Sequence, residues 1–123
     1  MRRFSLLIIV CIAAVFLTAC EQEPQPLEVI KIPFAGESVM GEIDGGVYRY
    51  FRYESVEAAL IDKTKVSADG SKIDGRQMPW NGNVHFYHLA KRIVIYVGDE
   101  PKVIEAIENI FGMEFAGTSV PIQ

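Results

Sequence analysis

The sequence predicts an α+β fold, a small antiparallel sheet packed against a C-terminal helix at about residues 100–111. Three observations lead to it. Short runs rich in β-branched and aromatic residues recur along the chain, separated by turn signals such as Asp44-Gly45-Gly46 and Gly98-Asp99. Val103, Ile104, Ile107, Ile110 and Phe111 repeat at three- and four-residue steps, the period of a helix with one apolar face. The chain has 123 residues, room for one small domain built as a single pair of layers.

Residues 1–19 read as a processing signal. Met1-Arg2-Arg3 is a short positive start, and Leu6–Leu17 is an unbroken apolar run of twelve residues. As a helix such a run rises about 18 Å, short of the ~30 Å hydrocarbon layer. Leu17-Thr18-Ala19-Cys20 then resembles the lipobox of bacterial lipoproteins: an aliphatic residue, two small ones and the acceptor cysteine. Small residues fit a narrow protease site, and a thiol is a soft nucleophile for a diacylglyceryl group. The resemblance implies cleavage before Cys20, a thioether lipid on its sulfur and a further acyl chain, such as palmitate, on the new amino terminus. Two or three chains hold a protein on a bilayer where one does not. In a Gram-negative organism Glu21, where inner-membrane lipoproteins often have Asp, points to the outer membrane facing the periplasm. The resemblance covers residues 1–20, and no family is recognised for the rest. Cys11 leaves with the leader and the lipid takes the Cys20 sulfur, so the mature domain is expected to stand on packing without a disulfide.

Residues 20–26 are then the lipidated cysteine and a flexible tether. Glu21-Gln22-Glu23-Pro24-Gln25-Pro26 is polar and proline-bearing, giving roughly 20 Å of stand-off. Residues 27–123 form the domain. Val29–Ile32 reads as a short strand stopped by Pro33, and Ser38–Ile43 as a second. Asp44-Gly45-Gly46 is a hairpin tip leading into Val47–Tyr53, with Tyr48 and Tyr50 on one face and Phe51 and Tyr53 on the other. Ser55 is placed to cap a short helix over Val56–Ile61, although that stretch also fits a strand. Thr64–Ile73 contains Asp69-Gly70 and reads as a minor hairpin, followed by a long connection to Asn83 that carries Trp80. Val84–Leu89 and Ile93–Val97 form an antiparallel hairpin across Ala90-Lys91-Arg92. Asp99 is placed to cap the last helix, with Pro101 in its first turn and Gly112 as its stop. Phe34-Ala35-Gly36-Glu37-Ser38-Val39 is echoed by Phe115-Ala116-Gly117-Thr118-Ser119-Val120, too short an echo for a repeat architecture.

The net charge is −4, and Arg2 and Arg3 belong to the leader, which makes the mature part more acidic still. Phosphate binding needs a basic patch, so nucleic acid is excluded as a partner, and a basic protein is electrostatically favoured. Motifs for chemistry are few. Gly36-Glu37-Ser38-Val39-Met40-Gly41 falls short of a nucleophile elbow, because Met40 stands where glycine is needed. His85 and His88 are the only histidines, and on one strand they point to opposite faces. A metal or enzymatic site built on them is therefore a minor alternative, and no cofactor, catalytic residue or metal ligand is assigned. Asp69–Gly75 lacks the spacing of a calcium loop.

Aromatic and arginine side chains are the preferred anchors of recognition surfaces. If the helix covers only one sheet face, the other exposes rings, and Trp80, Tyr48, Tyr50, Arg52 and His88 are the candidate binding residues. The leading expectation is a non-catalytic module, lipid-anchored at Cys20, that binds a protein or envelope polymer; an inhibitor or immunity lipoprotein is one form of it. A structural or assembly lipoprotein of an envelope complex is the alternative.

Overall fold

A computed structural model describes residues 23–118. The leader, the lipobox and Cys20 lie outside that range, as do Ser119 and Val120 of the Phe115 echo. The fold is α+β, mostly sheet. β1 (Glu37–Ile43) and β2 (Gly46–Arg52) form the first hairpin. Its loop is Asp44-Gly45, with φ of 47° and 82°, the doubly left-handed geometry that suits the right-handed twist of paired strands. α1 (Val56–Lys63) follows, and the Ser55 hydroxyl accepts from the Ala58 amide at 3.1 Å. The helical reading of this stretch thus holds over the strand alternative, with the cap in the expected place.

β3 (Lys72–Ile73) and β4 (Arg76–Gln77) make a separate two-stranded hairpin. Its tip is Asp74-Gly75, with φ of 53° and 78°. The expected minor hairpin around Asp69-Gly70 is reduced to one bridge, Val66 to Ile73. There Asp69 turns its carboxylate onto Ser67 and Ser71 and folds the chain into a local turn. Hydrogen bonds from the Ser71 amide, then the Ser71 and Ser67 hydroxyls, hold that carboxyl below its usual range.

β5 (Val84–Leu89) and β6 (Arg92–Val97) form the second large hairpin. α2 (Pro101–Phe111) comes next, and β7 (Ala116–Gly117) ends the described chain. The predicted cap shifts by one residue. Glu100 caps α2 and Pro101 is its first residue, while Asp99 accepts from the Asn83 amide group at 2.8 Å. Proline at the first helical position fixes where the helix can begin, and that decides the cap.

The five strands lie in the order β1-β2-β6-β5-β7, antiparallel at every junction. One face carries Tyr48, Tyr50, His85, Tyr87, Val94 and Tyr96. α2 lies on it and buries Val103, Ile107 and Phe111 there. Ile110, predicted on the same stripe, is 53% exposed at its margin. The other face carries Phe51, Val84, Phe86, Ile93 and Ile95, and it is not open. α1, the β3–β4 hairpin and the segment Leu27–Phe34 cover it.

That segment is not the expected strand. Leu27–Val29 is a 3-10 turn, and Ile30 then drops into the core. Arg49 explains the outcome. Its Nη1 donates to the carbonyls of Leu27 and Ile30, which leaves those groups satisfied without a sheet partner. Ordered contacts also begin two residues before Leu27, because the Gln25 amide donates to the Pro79 carbonyl at 3.0 Å. Among the described residues no helix is long and apolar enough to cross a membrane.

Candidate functional site: an open strand edge and its aromatic margin

The five candidate binding residues do not gather on one surface. Trp80 and His88 belong to the side of the sheet opposite α2. Trp80 is half-buried, donates from Nε1 to the Gly70 carbonyl at 2.7 Å and stands edge-on to Phe86. It plugs the core beneath its own loop. His88 is half-buried between Lys63 and the Ala90 carbonyl. The open aromatic face expected from the sequence is thus replaced by a covered one, because α1, the β3–β4 hairpin and the Leu27–Phe34 segment fold over it.

Tyr48, Tyr50 and Arg52 do come together. They alternate along β2 on the α2 face, beside the outer strand β1. The Tyr48 and Tyr50 rings are half-buried against the α2 core, and Arg52 is exposed. Tyr48 and Tyr50 have ring centroids 6.0 Å apart. Tyr48 lies across Gly41 of β1, where a Cβ would meet the far end of its ring at 2.5 Å, so a larger residue there would displace the ring. Arg92 sits over the Tyr50 ring at 5.7 Å and directly opposite Arg52 in the β2–β6 ladder. Glu37 pairs with Arg52 at 2.6 Å across the β1–β2 ladder. Both partners are exposed, so the pair adds little stability and stays exchangeable. Arg92 makes no ion pair among the described residues. The margin therefore offers two neighbouring rings, tilted to each other by 37°, and two guanidiniums, one with no acid of its own.

Beside this margin runs the second feature, which the sequence reading missed. β1 is an outer strand of seven residues, and among the described residues its backbone pairs with β2 alone. In an antiparallel strand every second residue turns both its N–H and its C=O away from the partner. Of the usual edge guards β1 carries only charge, in the exposed Glu37 and Glu42. β1 contains no lysine or proline, and its register runs unbroken from Glu37–Arg52 to Ile43–Gly46. The opposite border is closed: β7 is two residues long and its Gly117 amide donates to the Ala68 carbonyl. The run Ser38–Ile43 is legible as a strand, but its outer position depends on strand order, which no local pattern encodes.

The groups with chemical potential are held by internal partners. Ser38 accepts from Arg49 Nε at 2.7 Å and has no histidine beside it. His85 and His88 project to opposite faces. His85 is buried against Tyr96, with Nε2 2.9 Å from the Gly98 carbonyl and Nδ1 3.1 Å from Glu114. Asp62 is buried and joins three segments: it accepts from the Ala35 amide and the Tyr53 hydroxyl and pairs with Lys65 at 3.0 Å. No cluster of three or more metal-ligating side chains occurs among the described residues. A cleft of about 510 Å³ between the Val29–Lys31 segment and β4 is lined by Gln25, Lys31, Arg76, Met78 and Pro79 among others, with no carboxylate or histidine beside Lys31 in that lining.

Fold and margin together define a small α+β domain with one sheet border sealed and the other open. The chain matches no protein-family model, no curated protein and no solved structure.

Proposed function

We propose that this chain is a non-catalytic recognition module, displayed on a bacterial membrane by lipid on Cys20, which holds a protein partner at the β1–β2 margin. One observation carries the reading. Three residues of the type that anchors interfaces, Tyr48, Tyr50 and Arg52, share one face beside a strand whose outer edge has no partner among the described residues. Arg92 and the exchangeable Glu37–Arg52 pair give that face a place for a partner's carboxylate or aromatic group. The lipobox-like leader supplies the display in the envelope, and in a Gram-negative organism Glu21 supports the outer membrane, facing the periplasm. Inhibition of an exported enzyme is one use of such a module.

The test uses the full chain in envelope membranes. Mass spectrometry of the mature protein should find a start at Cys20 with added acyl mass. Cross-linking and affinity capture should return a defined partner. Tyr50→Ala and Arg52→Glu should each weaken that capture by tenfold or more, about 1.4 kcal/mol, with an unchanged circular dichroism spectrum. Capture that is equal in wild type and both variants overturns the surface, and an unmodified Met1 start overturns the display.

A further inference from the structure

We infer that the occupant of the β1 edge is β1 of a second copy, so that two domains join into one ten-stranded antiparallel sheet about a two-fold axis at Met40. The inference deepens the recognition reading and rests on it only for the membrane geometry given below. An isologous contact needs a self-complementary surface, and three properties of β1 meet that need.

The first is register. Antiparallel pairing of β1 with itself about Met40 sets Glu37 against Ile43, Ser38 against Glu42 and Val39 against Gly41. All seven residues of the strand then find a partner, and no two carboxylates face each other. Any slip leaves strand ends unpaired. The faces also agree. Glu37, Val39, Gly41 and Ile43 lie on the α2 side in both copies, so Val39 of one copy settles beside the Tyr48 ring that covers Gly41 of the other.

The second is charge. Arg49 stands on the side opposite α2, bonded to the Ser38 hydroxyl, to two carbonyls and over the Phe51 ring at 5.3 Å. All of these partners are neutral, and burial holds its pKa below the usual arginine value. Arg49 has no carboxylate partner among the described residues. Glu42 is exposed and likewise makes no ion pair. The Met40-centred register brings Glu42 of one copy directly across from Ser38 of the other, on the face where Arg49 holds Ser38. Each copy thus provides the counter-ion that the other lacks, twice over by symmetry.

The third is the direction of the tethers. A two-fold axis normal to the sheet keeps like faces together. Gln25, where the described contacts begin, pairs with Trp80 on the side opposite α2. The Gln25 ends of both copies therefore lie on one side of the joint sheet, as two chains anchored in a single membrane require. The Tyr48, Tyr50 and Arg52 margins of both copies then point away from that membrane, side by side.

Cysteine cross-linking of the full chain in membranes tests this. Two residues facing each other across an antiparallel pair have Cα atoms about 4.5–5.5 Å apart, inside the range a disulfide accepts. Met40→Cys should give a disulfide-linked homodimer under mild oxidation. The parent chain, with its own Cys11 and Cys20, and a Val47→Cys variant near the hairpin tip should not. Met40 is 39% exposed, so Met40→Lys should leave the fold intact while setting two cations face to face. That variant should shift the detergent-solubilised protein from dimer to monomer in sedimentation. Cross-linking at Val47 as efficient as at Met40, or none at Met40, overturns the inference. So does cross-linking of Met40→Cys to a different protein, a result that leaves the recognition reading standing. Loss of partner capture with the homodimer intact sinks that reading and leaves this one.

Discussion

Tyr53 and Tyr87 are two buried phenols in opposite circumstances. The Tyr53 hydroxyl donates to Asp62 at 2.8 Å and helps tie the Ala35 turn to α1 and the end of β2. The Tyr87 hydroxyl is buried and has no hydrogen-bond partner among the described residues. Tyr53→Phe should therefore destabilise the domain by about 1.5–3 kcal/mol, because it takes a donor from a buried carboxylate. Tyr87→Phe should stabilise it by about 1 kcal/mol, since an unsatisfied hydroxyl leaves and the ring stays. Chemical denaturation of the two variants reads both signs. Neither role is legible in the sequence. Asp62 sits in an ordinary amphipathic run, and its burial depends on a segment 27 residues away. Trp80 stands in a loop of turn residues that reads as exposed, and only the fold shows Gly70 and Phe86 waiting for it.

Elements with local causes were legible. The 3.6-residue stripe of α2, the Ser55 cap and the Asp44-Gly45 turn are each written within a few residues. Ile107 is fully buried on that stripe. Ile107→Asp should abolish cooperative thermal unfolding followed by circular dichroism, because an unpaired buried carboxylate costs several kcal/mol against a typical total of about 5–15. What failed were the elements set by distant partners. Val29–Ile32 has strand composition, yet Arg49 from β2 captures its neighbouring carbonyls and turns it into a covering segment. The outer position of β1 escaped for the same reason: strand order is fixed by β6 pairing with β2 and β5 at once.

For the whole molecule, covering the sheet on both faces places phenols where water does not reach. Burial first, then the hydrogen bond and charge of Asp62, pushes the Tyr53 pKa far above the ordinary tyrosine value. Burial, then the charges of Glu114 and Glu108, does the same to Tyr87. In the unfolded chain both ionise near pH 10. Above that pH the unfolded state binds fewer protons than the folded one, so stability is complete below about pH 10 and falls as pH rises past it. The slope is about 1.4 kcal/mol per pH unit for each tyrosine. Melting temperatures between pH 8 and about pH 11.5 should show this decline, and Tyr87→Phe should make it shallower. The difference between the two borders of the sheet has a consequence for growth. A molecule receptive along one rim stops after a single addition, whereas one receptive along both would string into fibres. With Ala116 and Gly117 laid across β5, and the Gly117 amide fastened to Ala68, the pair inferred above presents only two-residue strands at its outer rims, which blunts further addition.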